Sequence, residues 1–562
     1  MSADRALVWQ AGDDEAPGPA GSAGFRALRL RPWAVTAAWV LGVIAVFAAN
    51  LQLARTRAVN SDGASQALQA WDMLHGNLLL HGWLLGDVSY YTTELPQYML
   101  VEFLRGLNQD AVHVAAAMTY TLATLLAVLL AKGNSTGRQA LVRVLIAAGI
   151  MLAPQLASGV NILLSSPDHI GTSVPVMVVW LILDRAQLRV SRHPDRGDPS
   201  PRTPLGYVPV IAGLFLGWAA VADTLVLLIG VLPLAAVCAI RVGQAVAVER
   251  KPLASQWYDM ALGAAALAGA AAAMLALHVI HARGGFYMPA PAMQFAHSGA
   301  TLVHNLGITA QGLLLLSGAD FLGLRLTAST FFTVLHLVGV FLAAWGTGLA
   351  AWRFLRDRDL VAQLLVTGVA INLAAYVLST KANVVTQTRE IDVLLPFSAA
   401  LAGRLLAGRL KAATLVPLLL VVLLGYLAGL AYEISQPPAA AQNQQLTSWL
   451  LARHLHTGLS GYWESNVVTL TSGDRVQIRT VALSGERLTP STFESKAEWY
   501  DPDRSTANFV VLFPGGAGYP GFTQERAVLA TFGKPARTYQ VGSYTVLVWN
   551  SNLLSRLSRA DA

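Results

Sequence analysis

Apolar residues fall in long blocks along the chain. Trp33–Leu53, Ala111–Ala131, Leu360–Thr380 and Ala412–Tyr432 each run 21 residues without Asp, Glu, Lys or Arg. A helix crossing a bilayer needs roughly 20 apolar residues, and soluble core helices seldom repeat that pattern. Short basic clusters stand between the blocks: Lys132, Arg138 and Arg143; Arg185, Arg189, Arg192, Arg196 and Arg202; Arg241, Arg250 and Lys251; Arg353, Arg356 and Arg358; Arg404, Arg409 and Lys411. Such clusters mark the cytoplasmic side. Placing all of them inside predicts an α-helical polytopic membrane protein of about eleven transmembrane helices. They run near 33–54, 110–131, 141–158, 169–186, 206–221, 224–241, 258–280, 329–352, 360–380, 391–408 and 412–433. The first block is too long for a cleaved signal peptide, and no small-residue cleavage site follows it.

The polar pattern differs in three places. Residues 1–32 are rich in Ala, Gly, Asp and Pro without periodicity, which predicts a disordered cytoplasmic tail. Residues 33–436 are the transmembrane domain, and its first outer loop, 55–109, is long and patterned. There Ala64, Leu68, Trp71 and Leu74 recur at helical spacing and Gly76 supplies a stop. The Trp and Tyr residues of the following "LLLHGWLLGDVSYYTTELPQYMLVEFLRGL" suit a membrane interface. Two interfacial helices are expected. Beyond Pro437-Pro438, residues 437–562 read as a small extracytoplasmic α/β domain. It has a helix near 443–456, strand-like "NVVTL", "RVQIRTVAL" and "NFVVLF", and a hairpin in "ARTYQVGSYTVLVWN".

Composition agrees with this layout. Of 562 residues, 54% are hydrophobic and 13% charged, against about a quarter charged in a soluble domain. The net charge of +7 resides in the clusters between spans and does not point to nucleic acid. Cys238 is the only cysteine, which excludes a disulfide within the chain and a thiolate metal site.

The suggestive ionisable residues all fall on the side expected to be outside. Asp62 and Glu94 lie in the first loop, Asp168-His169 and Asp223 at hairpin tips, and Lys381, Arg389 and Glu390 just before the tenth span. Charges near hydrocarbon are costly and mark function or pairing. Several on one face predict a shared cavity open to the outside, lined by Asp62, Asp168, His169, Asp223, Arg389 and Glu390. Each residue also has a plainer reading. Asp62, Asp168 and Asp223 would serve as helix caps, Glu94 as a solvated loop acid, and Arg389 as a partner of Glu390. The aromatics of "GYWESN", 461–466, suit either a sugar ring or core packing.

The segments "SDGASQALQAWDMLHGN", "TTELP", "SSPDHIGT" and "REIDVLLPF" resemble the GT-C superfamily of membrane glycosyltransferases, in a bacterial, actinobacterial branch. The resemblance covers most of 33–560. It implies a fold with interfacial helices after span one and a soluble C-terminal domain. It further implies transfer of a hexose or pentose from a polyprenyl-phosphate donor at the outer face of the plasma membrane. The acceptor would be a cell-envelope polysaccharide, lipid or protein, and direct displacement would invert the anomeric carbon. Asp62 would be the general base, with Glu94 a second catalytic residue, and Arg389, assisted by Lys381, would hold the donor phosphate bidentately. Many members carry an acidic pair at the first site, whereas Gly63 follows Asp62 here. A divalent metal, Mg or Mn, on Asp62, Asp168 and His169 therefore stays open. Two other classes compete: a lipid or glycolipid transporter or flippase, which would show inverted repeats and midplane charges, and a non-catalytic glycan-binding relative.

Overall fold

The computed structural model describes residues 32–152, 162–192, 206–289, 294–325, 328–409, 412–439, 443–515 and 521–557. The expected tail up to Arg31, and the basic residues Arg196, Arg202 and Lys411, lie outside them. Residues from Ala45 onward form one compact unit, and the described part of the other is the beginning of the first helix.

The membrane part is a bundle of helices: α1 (Pro32–Arg55), α2 (Ser61–Leu74), α3 (Glu94–Arg105), α4 (Asp110–Lys132), α5 (Gly137–Met151), α6 (Ile170–Arg192) and α7 (Val208–Ala222). They are followed by α8 (Leu232–Ala247, entered through a π turn), α9 (Trp257–Ala282), α10 (Gly299–Leu316), α11 (Ala328–Leu335), α12 (Leu337–Arg353), α13 (Leu360–Leu378), α14 (Leu394–Leu406) and α15 (Ala412–Ile434). Among the described residues eight helices are long and apolar enough to cross a membrane. Seven coincide with expected crossings. The eighth, α10, falls in a stretch assigned to an outer loop. Its Asn305 side chain donates to the carbonyls of Val377 and Ser379 at 2.8 Å each, and its Gly312 abuts Thr388. Those partners end α13 or follow it, so α10 packs along one end of the bundle. The expected crossings at 206–221 and 391–408 are the shorter apolar helices α7 and α14.

Basic side chains gather at the opposite end. Arg404 reaches Asp359 at 2.6 Å, Asp184 at 2.7 Å and the Leu130 carbonyl at 2.9 Å, tying the ends of α4, α6, α13 and α14 together. Arg241 pairs with Asp259 at 3.2 Å.

Helices within a bilayer gain little from hydrophobic contact and pack through small residues. Gly213 and Gly217 of α7 face Ala265 and Gly269 of α9. A Cβ on Gly217 would lie 2.7 Å from the Gly269 carbonyl, and one on Gly269 would lie 2.1 Å from that of Gly213. Gly269→Val is expected to destabilise the fold by about 1–3 kcal/mol, as overpacking does. The check is the unfolding midpoint in detergent, where an unchanged value would show that α7 and α9 do not pack this way.

The C-terminal segment carries α16 (Gln444–Ala452), α17 (Tyr462–Thr471) and α18 (Glu525–Phe532). Its strands are β2 (Thr457–Ser460), β3 (Gln477–Ser484), β4 (Arg487–Pro490), β5 (Ser495–Lys496), β6 (Phe509–Leu512), β7 (Arg537–Val541) and β8 (Tyr544–Val548). Six of them form a sheet in the order β4-β3-β2-β6-β8-β7. "NVVTL" is helical, within α17, and not a strand. The reason is topological: β2 pairs with β3 in parallel, and parallel neighbours need a crossover, which α17 supplies. Val467 and Leu470 of α17 join a core with Ala64, Leu68 and Met73 of α2 and Leu95 and Tyr98 of α3. The first loop also contributes β1 (Trp83–Leu84), which pairs antiparallel with β5. Asp72 accepts from Trp83 Nε1 at 2.8 Å and from Lys496 at 2.9 Å. First loop and C-terminal segment are thus one packed layer over one end of the bundle.

Candidate functional site

Helix α2 opens the site. Asn60, not Asp62 or Ser61, caps it, its Oδ1 accepting from Gly63 N at 2.8 Å. The Asp62 carboxylate is therefore spared for other partners. Gly63 is required by space: a Cβ there would lie 2.6 Å from Val112 Cγ1 of α4 and 3.0 Å from Ser166 Cβ. A second acid directly after Asp62 would not fit, which accounts for the missing pair.

Arg389, in the 3-10 turn Val385–Ile391, faces two acids through one nitrogen. Its Nη1 lies 3.5 Å from Asp62 Oδ2 and 3.6 Å from Asp168 Oδ2. Asp168 also accepts from the Tyr90 hydroxyl at 3.1 Å and from His169 N at 3.0 Å. Burial works against the guanidinium charge, but Asp168 above all, with Asp62, holds Arg389 above its ordinary value. Its side chain keeps 37% exposure, against 20% for Asp62 and 13% for Asp168. Solvent therefore reaches the cluster along the arginine.

His169 stands beside them. Nδ1 lies 2.9 Å from Asp223 Oδ2, and Nε2 lies 3.6 Å from Glu390 Oε2. The Thr172 hydroxyl also donates to Asp223, and Leu225 N donates to its Oδ1 at 2.8 Å. Burial disfavours the imidazolium, yet Asp223, Glu390 and Asp168 together push His169 well above its usual range. Its three acidic neighbours favour the protonated ring. Lys381 bridges Glu390 at 3.0 Å and Asp87 at 3.1 Å. Both anions outweigh its burial and raise it.

The structure thus brings Asp62, Asp168 and Arg389 into one contact set, and joins His169, Asp223, Glu390 and Lys381 to it through shared carboxylates. Glu94 is apart. It is buried at the start of α3, its carboxyl accepts from Thr93, and it packs on Gly171, where a Cβ would lie 2.0 Å from Oε1. Burial pushes it up to about 8. The charges of Asp223 and His169 act on it, one raising and the other lowering its value.

Tyr90, Asp87 and Glu494 belong to the site without having been singled out, and Tyr462 joins it from the aromatic run "GYWESN". Tyr462 Oη lies 2.5 Å from both Asp62 Oδ1 and Glu494 Oε2. Tyr90 and Glu494 adopt left-handed backbone, φ 55° and 46°. Such conformations cost roughly 1–3 kcal/mol and cluster at functional sites.

Among the described residues no three His, Cys, Asp or Glu side chains are placed to share one ion. The place between Asp62 and Asp168 is taken by the guanidinium, Asp62 Oδ1 by Tyr462, and His169 Nδ1 by Asp223.

No protein-family model and no curated protein matches the chain. Among solved structures, the Archaeoglobus fulgidus oligosaccharyltransferase in the apo form is 13% identical with a TM-score of 0.46, over 84% of this chain and 69% of that one. The oligosaccharyltransferase AglB from the same organism, in complex with an inhibitory peptide and a dolichol-phosphate, is 13% identical with a TM-score of 0.44, over 85% of this chain and 69% of that one. ArnT from Cupriavidus metallidurans in the apo state is 12% identical with a TM-score of 0.51, over 94% of this chain and 100% of that one. The ArnT likeness spans bundle, first loop and C-terminal segment alike, so the chain shares the fold of that protein, and its eight long apolar helices among the described residues make it a multi-pass membrane protein.

Proposed function

We propose that the protein is a membrane glycosyltransferase that moves one sugar from a polyprenyl-phosphate donor to a cell-envelope acceptor. The site end of the bundle would face outside, with the basic end and the N-terminus in the cytoplasm. The observation that carries this reading is the meeting of Asp62 with Arg389 at 3.5 Å, where an apolar bundle meets a polar layer. A lipid-linked sugar phosphate has its tail in the bilayer and its reacting carbon at that boundary.

In this reading the acceptor hydroxyl attacks the anomeric carbon and gives its proton to Asp62. The bond from that carbon to the phosphate oxygen breaks, and polyprenyl phosphate leaves with the electron pair. Direct displacement inverts the anomeric centre. Arg389 has five N–H groups, and both of its ion pairs run through Nη1. Its other edge suits two phosphate oxygens. Lys381 and the His169 cation add positive charge where the leaving phosphate becomes more negative. The role that a divalent metal would play falls to Arg389.

The test is transfer from a panel of radiolabelled polyprenyl-phosphate monosaccharides by protein in liposomes. At least one donor is expected to react, with the same rate in excess EDTA. A protein that neither binds nor uses any donor would overturn the reading. A rate abolished by EDTA and restored by Mg or Mn would overturn the role given to Arg389.

A further inference from the structure

Asp62 has a second neighbour besides Arg389, and it comes from the other end of the chain. Tyr462 Oη is 2.5 Å from Asp62 Oδ1 and 2.5 Å from Glu494 Oε2. A phenol carries one proton and donates once. Two bare carboxylates on one phenol would leave one acceptor facing another at that distance. The second contact therefore needs a proton on one of the acids, donated back to the phenol oxygen. Arg389 touches Asp62 and favours its anion. Glu494 is buried and stands one step further from that cation. Burial, with the Asp62 charge beside it, pushes Glu494 up to about 8. The proton therefore sits on Glu494, and the Tyr462 proton points at Asp62.

The surroundings fix this order. Ser61 Oγ donates to the Tyr462 carbonyl at 2.5 Å. The Phe493 ring stands edge-on to Tyr462 at 5.3 Å. A Cβ on Gly86 would lie 3.2 Å from that Phe493 ring. Ser495 and Lys496 pair with Leu84 and Trp83. The left-handed backbone of Glu494 thus sits between a locked strand and a locked ring, aimed at the site.

We propose that the C-terminal segment completes the active centre: Tyr462 and Glu494 are positioning residues that orient the Asp62 carboxylate, with Glu494 working as a neutral acid behind the phenol. This rests on the transferase reading above. The groups facing Glu494 are Asp62 and Ser65 from α2, Tyr98 from α3, Tyr462 from α17 and Arg389 from the 3-10 turn. Below pH 8 or so Glu494 is neutral and the Tyr462 proton belongs to Asp62. Above it, Glu494 becomes a second anion on the same phenol and draws that proton away, so kcat falls on the alkaline side.

The experiment measures kcat, donor KM and the pH profile of the full-length protein in liposomes for the wild type, Tyr462→Phe and Glu494→Gln. Tyr462→Phe is expected to lose about 10–100-fold in kcat, the weight of a hydrogen bond to a charged group, with donor KM unchanged and the alkaline fall gone. Glu494→Gln keeps a neutral donor; it loses less and also lacks the alkaline fall. The infrared carboxyl absorption lost on titration near pH 8 should be larger in the wild type than in Glu494→Gln by one carboxyl group, since Glu94 titrates there too, a readout independent of turnover and of how Tyr462→Phe folds. Variants that keep the wild-type pH profile, or that lose donor binding and kcat together, overturn the positioning role, as does an equal loss of carboxyl absorption in the wild type and Glu494→Gln. A wild type inert toward every donor overturns the transferase reading itself and this inference with it.

Discussion

Asp62→Asn lowers sugar transfer about 10²–10⁴-fold at saturating donor, the range that one positioned general base contributes. The change keeps the shape of the side chain and removes only its charge and basicity. Asn60 caps α2, so the helix start is untouched. Donor binding should persist or tighten, because Asp62 no longer competes for Arg389 Nη1. The pH profile adds a second check. Burial raises Asp62 above the ordinary carboxylate value, while Arg389 and the Tyr462 hydroxyl pull it back. A general base acts ionised, so in the proposed role Asp62 should make wild-type activity climb as pH rises through its value and then level. The residual activity of Asp62→Asn should lack that acid limb. Equal initial rates for the two proteins, at matched donor occupancy, would remove Asp62 from the chemistry.

Blocks of apolar residues and basic clusters made the bundle legible, because membrane spans must be long and uncharged and their flanks are marked by Lys and Arg. The helical spacing in 61–74 was legible for the same reason: one face is polar and the other joins the core with α17. Convergence of Asp62, Asp168, His169, Asp223, Lys381, Arg389 and Glu390 followed from sidedness alone. What stayed hidden depends on long-range packing. α10 has mean hydropathy 1.2, the lowest of the eight long apolar helices, and its Asn305 and Gly312 make sense only beside α13 and the 3-10 turn. "NVVTL" is buried on all sides, so periodicity could not separate strand from helix; the parallel β2–β3 pairing decided it. Glu494 carried no local signal. Its place comes from a left-handed backbone and from β5 pairing with a strand of the first loop. Tyr462 stood in a noted aromatic run, but only the fold shows that its hydroxyl reaches Asp62. The absence of an acid at position 63 was visible, and its cause, Val112 and Ser166 against the backbone, was not.

Arg389→Ala is expected to lower transfer about 10²–10³-fold, the cost of removing one preorganised group from a developing oxyanion. The loss should divide between weaker donor binding and slower turnover, since the phosphate is charged before the reaction and more so after it. Arg389→Lys should restore only part, because an ammonium is a point charge that cannot span two phosphate oxygens. A second effect follows from the ion pairs. Nη1 now stands between Asp62 and Asp168, 3.5 and 3.6 Å away. Without it two carboxylates face each other across a partly buried space, and like charges so placed favour a proton on one of them. The acid limb of the residual activity should therefore move to higher pH, opposite to its loss in Asp62→Asn. Added guanidinium ion, which fills the vacated place, should recover rate in Arg389→Ala and do nothing for Asp62→Asn. A variant that binds and transfers as the wild type does would leave Arg389 as a structural clamp between two acids and return the phosphate to Lys381 and His169.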